Sequence, residues 1–219
     1  MASPNSTVVP ATQAGEMLTE LRVCGSSTGI GSWPLTYAMN KGLFEKYGLK
    51  VDYQAVNFGS DAVATILAGG ADVCQVSGAA VVNAALVDEQ PVIVAGLISR
   101  QPYSLAVTAD VKNAGDLRGK VLAVSDFGGI TETVLRATLE EVGLDPDSDV
   151  TLVAGGSDAD RLAALQSGQI AGAIFSLLTL GKVTREGFHV LQETDALELP
   201  IQHTAVVTTR AFLADNRTA

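Results

Sequence analysis

The sequence predicts a two-lobed α/β protein in which each lobe is a parallel-rich sheet with helices on both faces, and in which the chain crosses twice between the lobes. Strands alternate with amphipathic helices. The same order of predicted strands, turns and helices occurs twice at a spacing of roughly a hundred residues, and a long apolar segment separates the two copies. The 219 residues, 47% of them hydrophobic, are enough for two packed lobes.

Each copy of the repeat is predicted to be a βαβαβ unit. The first comprises, in order, a strand at 21–24, a helix at 33–47, a strand at 51–56, a helix closing at Gly69 and a strand at 71–76. The second comprises a strand at 120–124, a helix at 131–142, a strand at 150–154, a helix closing at Gly168 and a strand at 170–175. Such an alternation indicates right-handed crossovers and a parallel sheet in each copy.

Two segments are predicted to connect the lobes. Residues 91–107 are apolar but interrupted by Gly96 and Pro102, which suits a strand that passes from one lobe to the other. A second crossing is expected near 200–202. The predicted organisation is therefore a flexible leader at 1–19, a first lobe at 20–98 plus 203–219, and a second lobe at 99–202.

The charge distribution excludes several classes of partner. The chain has 14 basic and 24 acidic residues, a net charge of −10, and its basic residues form no cluster. We therefore expect no binding to nucleic acid and no electrostatic attachment to anionic lipid. A local anion site stays possible, because backbone amides at helix N-termini bind anions whatever the total charge.

The sequence has no constellation typical of catalysis, a metal site or a cofactor. His189 and His203 have no acid or nucleophile beside them, and no GxSxG elbow, P-loop or dinucleotide motif occurs. Cys24 and Cys74 lie in apolar strands and are predicted to be buried thiols on neighbouring strands, with a single disulfide as the alternative. We expect a binding protein without catalytic residues, metal or cofactor.

The candidate ligand site follows from the repeat, since ligands of open parallel sheets bind beyond the carboxyl ends of the strands. In the first copy these corners carry Ser27, Ser32, Trp33, Phe58, Gly59, Ser60 and Ser77. In the second copy they carry Gly128, Gly129, Thr131, Phe175 and Ser176. Hydroxyls, helix amides and aromatic rings suit an oxyanion with a compact organic body. The alternative for each residue is a structural role as cap, turn or core side chain.

Seven short motifs follow one another over about residues 20–213. They are PL and GLFEKYGL within 34–49, GSDA and LAGGADV within 59–73, DLRGKV at 116–121, LEEVGLDP at 139–146 and LQSGQIAGA at 165–173. Their order resembles the substrate-binding proteins of ABC importers, in the nitrate, sulfonate, taurine and thiamine-precursor group. The resemblance implies a type II periplasmic-binding-protein fold whose contact loops fall on the residues named above.

The resemblance also implies a mode of action. Such a protein closes over a small solute and delivers it to an ABC transporter permease, in the periplasm or at the cell surface, with membrane contact only through the permease or a lipid anchor. Members usually continue with several helices that complete the first lobe, so we expect that lobe to be incomplete at its C-terminus, with exposed apolar sheet surface and reduced stability or self-association.

An enzyme on the same scaffold is the alternative function. Some relatives in this fold group are small-molecule lyases or decarboxylases, and one is a thiamine-pyrimidine synthase. The cysteine-rich iron motif of that synthase is absent from this sequence. A sensory ligand-binding domain is a third alternative, although no signalling segment is present.

Overall fold

The computed structural model describes residues 19–26, 30–194 and 202–217. The first part of the chain forms β1 (Thr19–Ser26), α1 (Trp33–Asn40), α2 (Leu43–Lys46), β2 (Leu49–Val56), α3 (Gly59–Leu67), β3 (Val73–Val76), α4 (Gly78–Ala85) and β4 (Pro91–Ile98). The remainder forms β5 (Tyr103–Val107), β6 (Val121–Val124), α5 (Ile130–Glu141), β7 (Thr151–Ala154), α6 (Asp158–Gln166), β8 (Gly172–Ser176), α7 (Leu177–Arg185), β9 (His189–Glu193), β10 (Thr204–Thr209) and α8 (Arg210–Asp215).

These strands build two five-stranded sheets, in the orders β2-β1-β3-β10-β4 and β7-β6-β8-β5-β9. In each sheet the three strands of one repeat copy are parallel. Two further strands complete each sheet through antiparallel pairs, in which β10 joins β3 to β4 and β5 joins β8 to β9. The predicted two-lobed α/β fold is confirmed. The lobe limits of 20–98 plus 203–219 and 99–202 stay a prediction, and residues 1–18 of the leader lie outside the described residues.

Two predicted elements are corrected by the structure. The single helix expected at 33–47 is two helices, α1 and α2, because Gly42 adopts the left-handed φ of 61° that ends a helix. The crossing strand expected at 91–107 is two strands, β4 and β5, which belong to different sheets. Residues 99–102 make the first crossing, and of the predicted second crossing Gln202 is described whereas 200 and 201 are not.

Each sheet is packed against the apolar faces of its helices. In the first sheet, Ala62, Val63 and Ile66 of α3 are buried against β1 and β3. In the second sheet, α5 buries Val134 and Leu135 in a larger core. Because burial of apolar side chains is the main driving force of folding, the second sheet is the better-packed half of the described molecule.

The edge strand β4 leaves apolar side chains exposed. Ile93, Val94 and Leu97 are all exposed there, and Leu86 and Val87 after α4 are exposed by 83% and 89%. This agrees with the apolar surface expected on the first sheet. An apolar edge strand is also a template for pairing with another chain.

A disulfide joins Cys24 of β1 to Cys74 of β3. The predicted pair of free buried thiols is therefore wrong, and the alternative of a single disulfide is correct. The two residues are direct partners in the parallel register of β1 and β3, so their side chains lie side by side in the core of the first sheet.

Loss of this disulfide is expected to destabilise the protein substantially. The bond closes a loop with a sequence separation of 50 residues, for which the loop-entropy model gives about 4 kcal/mol. Denaturant unfolding with and without reductant measures the change. The double variant Cys24→Ala/Cys74→Ala is the control, because its stability should not respond to reductant. Equal stability of the oxidised and reduced wild type would contradict the prediction.

A buried histidine links the two crossings. The ring of His203 contacts the Tyr103 hydroxyl through Nε2 at 2.9 Å and the Thr204 hydroxyl through Nδ1 at 2.7 Å. Tyr103 begins β5 in the second sheet, whereas Thr204 begins β10 in the first. Burial lowers the pKa of His203 to about 4, so the ring is neutral near pH 7.

Stability should fall as the pH drops from about 6.5 to about 4. Below pH 6.5 an unfolded histidine takes up a proton, whereas His203 in the folded protein does not until its pKa of about 4. Between pH 7 and pH 5 this difference lowers the free energy of unfolding by about 2 kcal/mol. Denaturant unfolding at both pH values, on the wild type and on His203→Gln, measures the effect. Parallel pH dependences in the two proteins would rule out His203 as the cause.

Candidate ligand-binding cleft

The carboxyl edges of the two sheets meet through two hydrogen bonds. The Ser60 hydroxyl at the start of α3 donates to Asp126 Oδ2 at 3.0 Å, and Asn83 Nδ2 of α4 donates to the Gly128 carbonyl at 2.9 Å. Each bond runs from an element of the first sheet to the loop before α5 in the second. The start of α3 and the last turn of α4 therefore lie against the loop before α5. We call this junction the candidate cleft, with the helices of the first sheet as its first wall and those of the second sheet as its second wall.

The start of α1 forms an apolar part of the first wall. Ser32 is the N-cap with Pro34 in the first turn, and its side chain makes no capping hydrogen bond to the helix. Trp33 is 59% exposed and lines a groove of about 570 Å³ together with Pro34, Thr36, Tyr37, Asn40 and Ile98. The predicted site residue Ser27 lies outside the described residues.

The starts of α3 and α4 contact each other on the same wall. Ser77 caps α4, since its hydroxyl accepts a hydrogen bond from the Ala80 amide at 3.4 Å. A Cβ at Gly59 would lie 2.9 Å from Ser77 Oγ, so glycine is needed for this close approach. Phe58 is the N-cap of α3, and its amide donates to the Asp61 carboxylate at 3.3 Å. Of this group, Ser60 is the residue that reaches the opposite wall.

The loop between β6 and α5 forms the centre of the second wall. Gly128 has a left-handed φ of 78°, and its amide donates to Glu132 Oε2 at 2.6 Å. The Asp126 carboxylate folds over Gly129, where a Cβ would lie 2.5 Å from Oδ1. Thr131 is buried, and its hydroxyl accepts a hydrogen bond from the Ser125 amide at 2.8 Å. Gly128, Gly129 and Thr131 thus shape the loop, and the carboxylate of Asp126 occupies it.

A buried arginine organises the other end of this wall. Arg161 of α6 is 2% exposed and donates to the carbonyls of Ile174 and Gly156 and to the Asp158 carboxylate. Burial lowers the pKa of Arg161, and the charge of Asp158 counteracts that effect. The guanidinium is therefore engaged in holding the start of α6 against β8.

The two predicted residues at the end of β8 differ in position. Ser176 donates its hydroxyl to Asp158 Oδ2 at 2.7 Å and so belongs to the polar network of the wall. Phe175 is fully buried in the core of the second sheet, with the Arg161 guanidinium 5.7 Å from its ring centroid. The assignment of Phe175 to the cleft surface is therefore not supported, because neighbouring residues of a strand point to opposite faces.

Three polar residues of the cleft were missed by the sequence reasoning, namely Asn83, Asp126 and Arg161. Asp126 stands inside the predicted Gly-rich loop, so its position was available as a signal. Arg161 follows Asp158 by three residues on a helix, a spacing that places the two side chains on one face. Nothing in the local sequence singles out Asn83.

Within residues 19–26, 30–194 and 202–217, no group of three His, Cys, Asp or Glu side chains could hold a metal ion. Over the same residues, no helix is both long and apolar enough to cross a membrane.

The fold resembles that of several solved binding proteins. The alkanesulfonate-binding protein SsuA from Xanthomonas axonopodis pv. citri, bound to MOPS, is 17% identical with a TM-score of 0.76, over 91% of this chain and 68% of SsuA. The periplasmic nitrate-binding protein NrtA from Synechocystis PCC 6803 is 14% identical with a TM-score of 0.72, over 91% of this chain and 58% of NrtA. At these identities the likeness shows the fold, which is that of the substrate-binding proteins of ABC importers.

Sequence comparison gives the family. The protein YtlA of Bacillus subtilis is 29% identical over 157 residues, which are 70% of this chain and 47% of YtlA, so the chain spans about half the length of that relative. The NMT1/THI5-like family model matches residues 31–219, most of the chain. The chain therefore belongs to the NMT1/THI5-like family.

Proposed function

We propose that this chain binds a small oxyanion-bearing solute, such as a sulfonate or a carboxylate, in the cleft between its two sheets. The observation that carries this proposal is the pair of bonds Ser60–Asp126 and Asn83–Gly128, which hold the start of α3 and the last turn of α4 against the loop before α5. Ligands of α/β sheets bind at this edge, where loops and helix N-termini converge. A solute placed there contacts both walls.

Helix amides are the proposed donors to the oxyanion. The N-cap of α5 is Gly129, which has no side chain that could cap the helix, so first-turn amides of α5 stay available to another acceptor. The 12-residue α5 adds a macrodipole whose positive end points at the cleft. Trp33 supplies an apolar surface for the organic part of the solute.

The proposed role is delivery of the solute to an ABC importer permease from the periplasm or the cell surface. The Cys24–Cys74 disulfide supports this location, because structural disulfides persist in oxidising compartments. The fold shared with SsuA and NrtA supports the link to ABC import.

A non-catalytic role is part of the proposal. A general acid or base needs a titratable group placed beside a reacting atom, with a pKa near the working pH. His203 is buried at the crossings with a pKa of about 4, and its ring nitrogens are engaged with Tyr103 and Thr204. The imidazole therefore suits a structural role at the connection between the sheets and does not suit proton transfer near pH 7.

Solute binding is expected to raise the melting temperature and to change the fluorescence of Trp33, the single tryptophan of the chain. Its side chain is 59% exposed, so burial by a ligand should shift the emission to shorter wavelength. A thermal-shift screen over sulfonates, nitrate, carboxylates, pyrimidines and aromatic acids identifies the solute, and a fluorescence titration follows its binding.

The variant Trp33→Phe is the matched control, because it should keep the thermal shift and lose the fluorescence signal. Recovery of the solute unchanged after incubation is expected. Turnover of a stabilising compound would contradict the non-catalytic role, and a screen without any stabilising compound would contradict solute binding in this cleft.

A further inference from the structure

We infer that Asn83 is a positioning residue that favours the closed arrangement of the two lobes before any solute is bound. Its side chain joins the last turn of α4 in the first lobe to the loop before α5 in the second. Through this contact it sets the affinity for the solute without touching the solute. The inference rests on the proposed function, since it concerns the same cleft, and it adds to that function a closure that the protein itself favours.

The contact of Asn83 runs from one lobe to the other. Its Nδ2 donates to the Gly128 carbonyl at 2.9 Å, across a sequence separation of 45 residues, and α4 packs against α5 beside this bond. Together with the bond from Ser60 to Asp126, it ties two helices of the first lobe to one loop of the second. Both bonds join protein groups directly, so they do not depend on a solute.

The Gly128 end of the contact is fixed to α5. The Gly128 amide donates to Glu132 Oε2 at 2.6 Å, and the Glu132 carboxylate also pairs with Arg136 one turn further along the helix. Arg136 in turn binds Asp147, which follows the helix. Because the loop is held to its own helix in this way, a restraint on the Gly128 carbonyl acts on α5 as a whole.

The other end of α4 is attached to the second crossing between the lobes. The Gly78 amide, at the start of α4, donates to the Gln202 carbonyl at 2.9 Å, and a Cβ at Gly78 would lie 2.5 Å from that oxygen. The Gln202 side chain also packs on Gly96 of β4, where a Cβ would lie 2.6 Å from its Oε1. The helix therefore contacts the crossing at its first residue and the second lobe at its last turn. A rotation of the lobes about the crossing changes the distance between Asn83 and Gly128, so the bond between them restrains that rotation.

Asn83 lies beside α5 and not in front of its start. It borders a groove of about 400 Å³ between α4 and α5, whose other lining residues are Glu132, Thr133, Arg136, Ala137 and Glu140. These residues form a side face of α5 that continues almost to its C-terminal end at Glu141. The amides that the proposed function assigns to the oxyanion project instead from the start of the helix. Asn83 therefore acts on the solute through the position of the lobes.

The expected strength of this restraint is modest, because Asn83 is exposed. Water competes for an exposed hydrogen bond, and a neutral bond changes an equilibrium by about fivefold. Loss of the bond should therefore lower the ratio of closed to open molecules by about fivefold. Only closed molecules contact the solute with both walls. The apparent dissociation constant of every solute should therefore rise by one common factor of at most about fivefold.

The competing explanation is that the bond is a surface contact without influence on closure. Two variants remove the donor. Asn83→Ala deletes the side chain, whereas Asn83→Asp is nearly isosteric and replaces the amide with a carboxylate that the Gly128 carbonyl repels. Gln166→Ala is the matched control. It also removes an amide donor from an exposed helix position, but the bond that it deletes, to Glu186 at 3.1 Å, joins two helices of the second sheet.

Small-angle X-ray scattering of the solute-free proteins tests the inference, because opening of the lobes increases the radius of gyration. We expect Asn83→Ala and Asn83→Asp to have a larger radius of gyration than the wild type, with a ratio of closed to open molecules about fivefold lower. Gln166→Ala should match the wild type. Calorimetric titrations with nitrate, propanesulfonate and benzoate then measure the common loss of affinity, and circular dichroism checks that all variants are folded.

Each result supports or overturns the inference. A radius of gyration that is equal in the wild type and both Asn83 variants overturns it and leaves the proposed solute binding intact. Loss of affinity for one solute and not for the others also overturns it, because that result indicates direct contact between Asn83 and the solute. A larger radius together with a common loss of affinity supports it. If no compound of the wider screen stabilises the protein, the proposed function fails, and scattering of the solute-free proteins still decides on the closure.

Discussion

The architecture depends on one constraint, which is that parallel strands place all their carboxyl ends at the same edge of a sheet. The antiparallel strands extend this constraint to the crossings, because Tyr103 begins β5 opposite Ser176 and Thr204 begins β10 opposite Ile98. Both connections between the sheets therefore start and end at the edges that carry the helix starts. The position of the two crossings is a consequence of the same strand order.

The two halves reach stability by different means. The second sheet buries its core between α5, α6 and α7, and its central side chains are fully excluded from solvent. The first sheet has a smaller core and an edge strand with exposed Val94 and Leu97, and it contains the Cys24–Cys74 disulfide. A covalent link restricts the unfolded chain, so it compensates for apolar burial that the described first sheet lacks.

Periodicity and the internal repeat were enough to predict the two βαβαβ units, because those features depend on local patterns. Side-chain direction was not predictable in the same way. Phe175 and Ser176 are adjacent, yet one packs in the core and the other joins the cleft network. The contact between Ser60 and Asp126 spans 66 residues, and nothing local encodes it. The disulfide likewise required the register of β1 and β3.

The contacts of the polar groups on the second wall determine which of them can bind an anion. Arg161 is the strongest potential anion receptor of the second wall, but its burial commits it to the backbone and to Asp158. Under the proposed function the oxyanion is therefore held by helix amides, which contribute partial charges without a counterion.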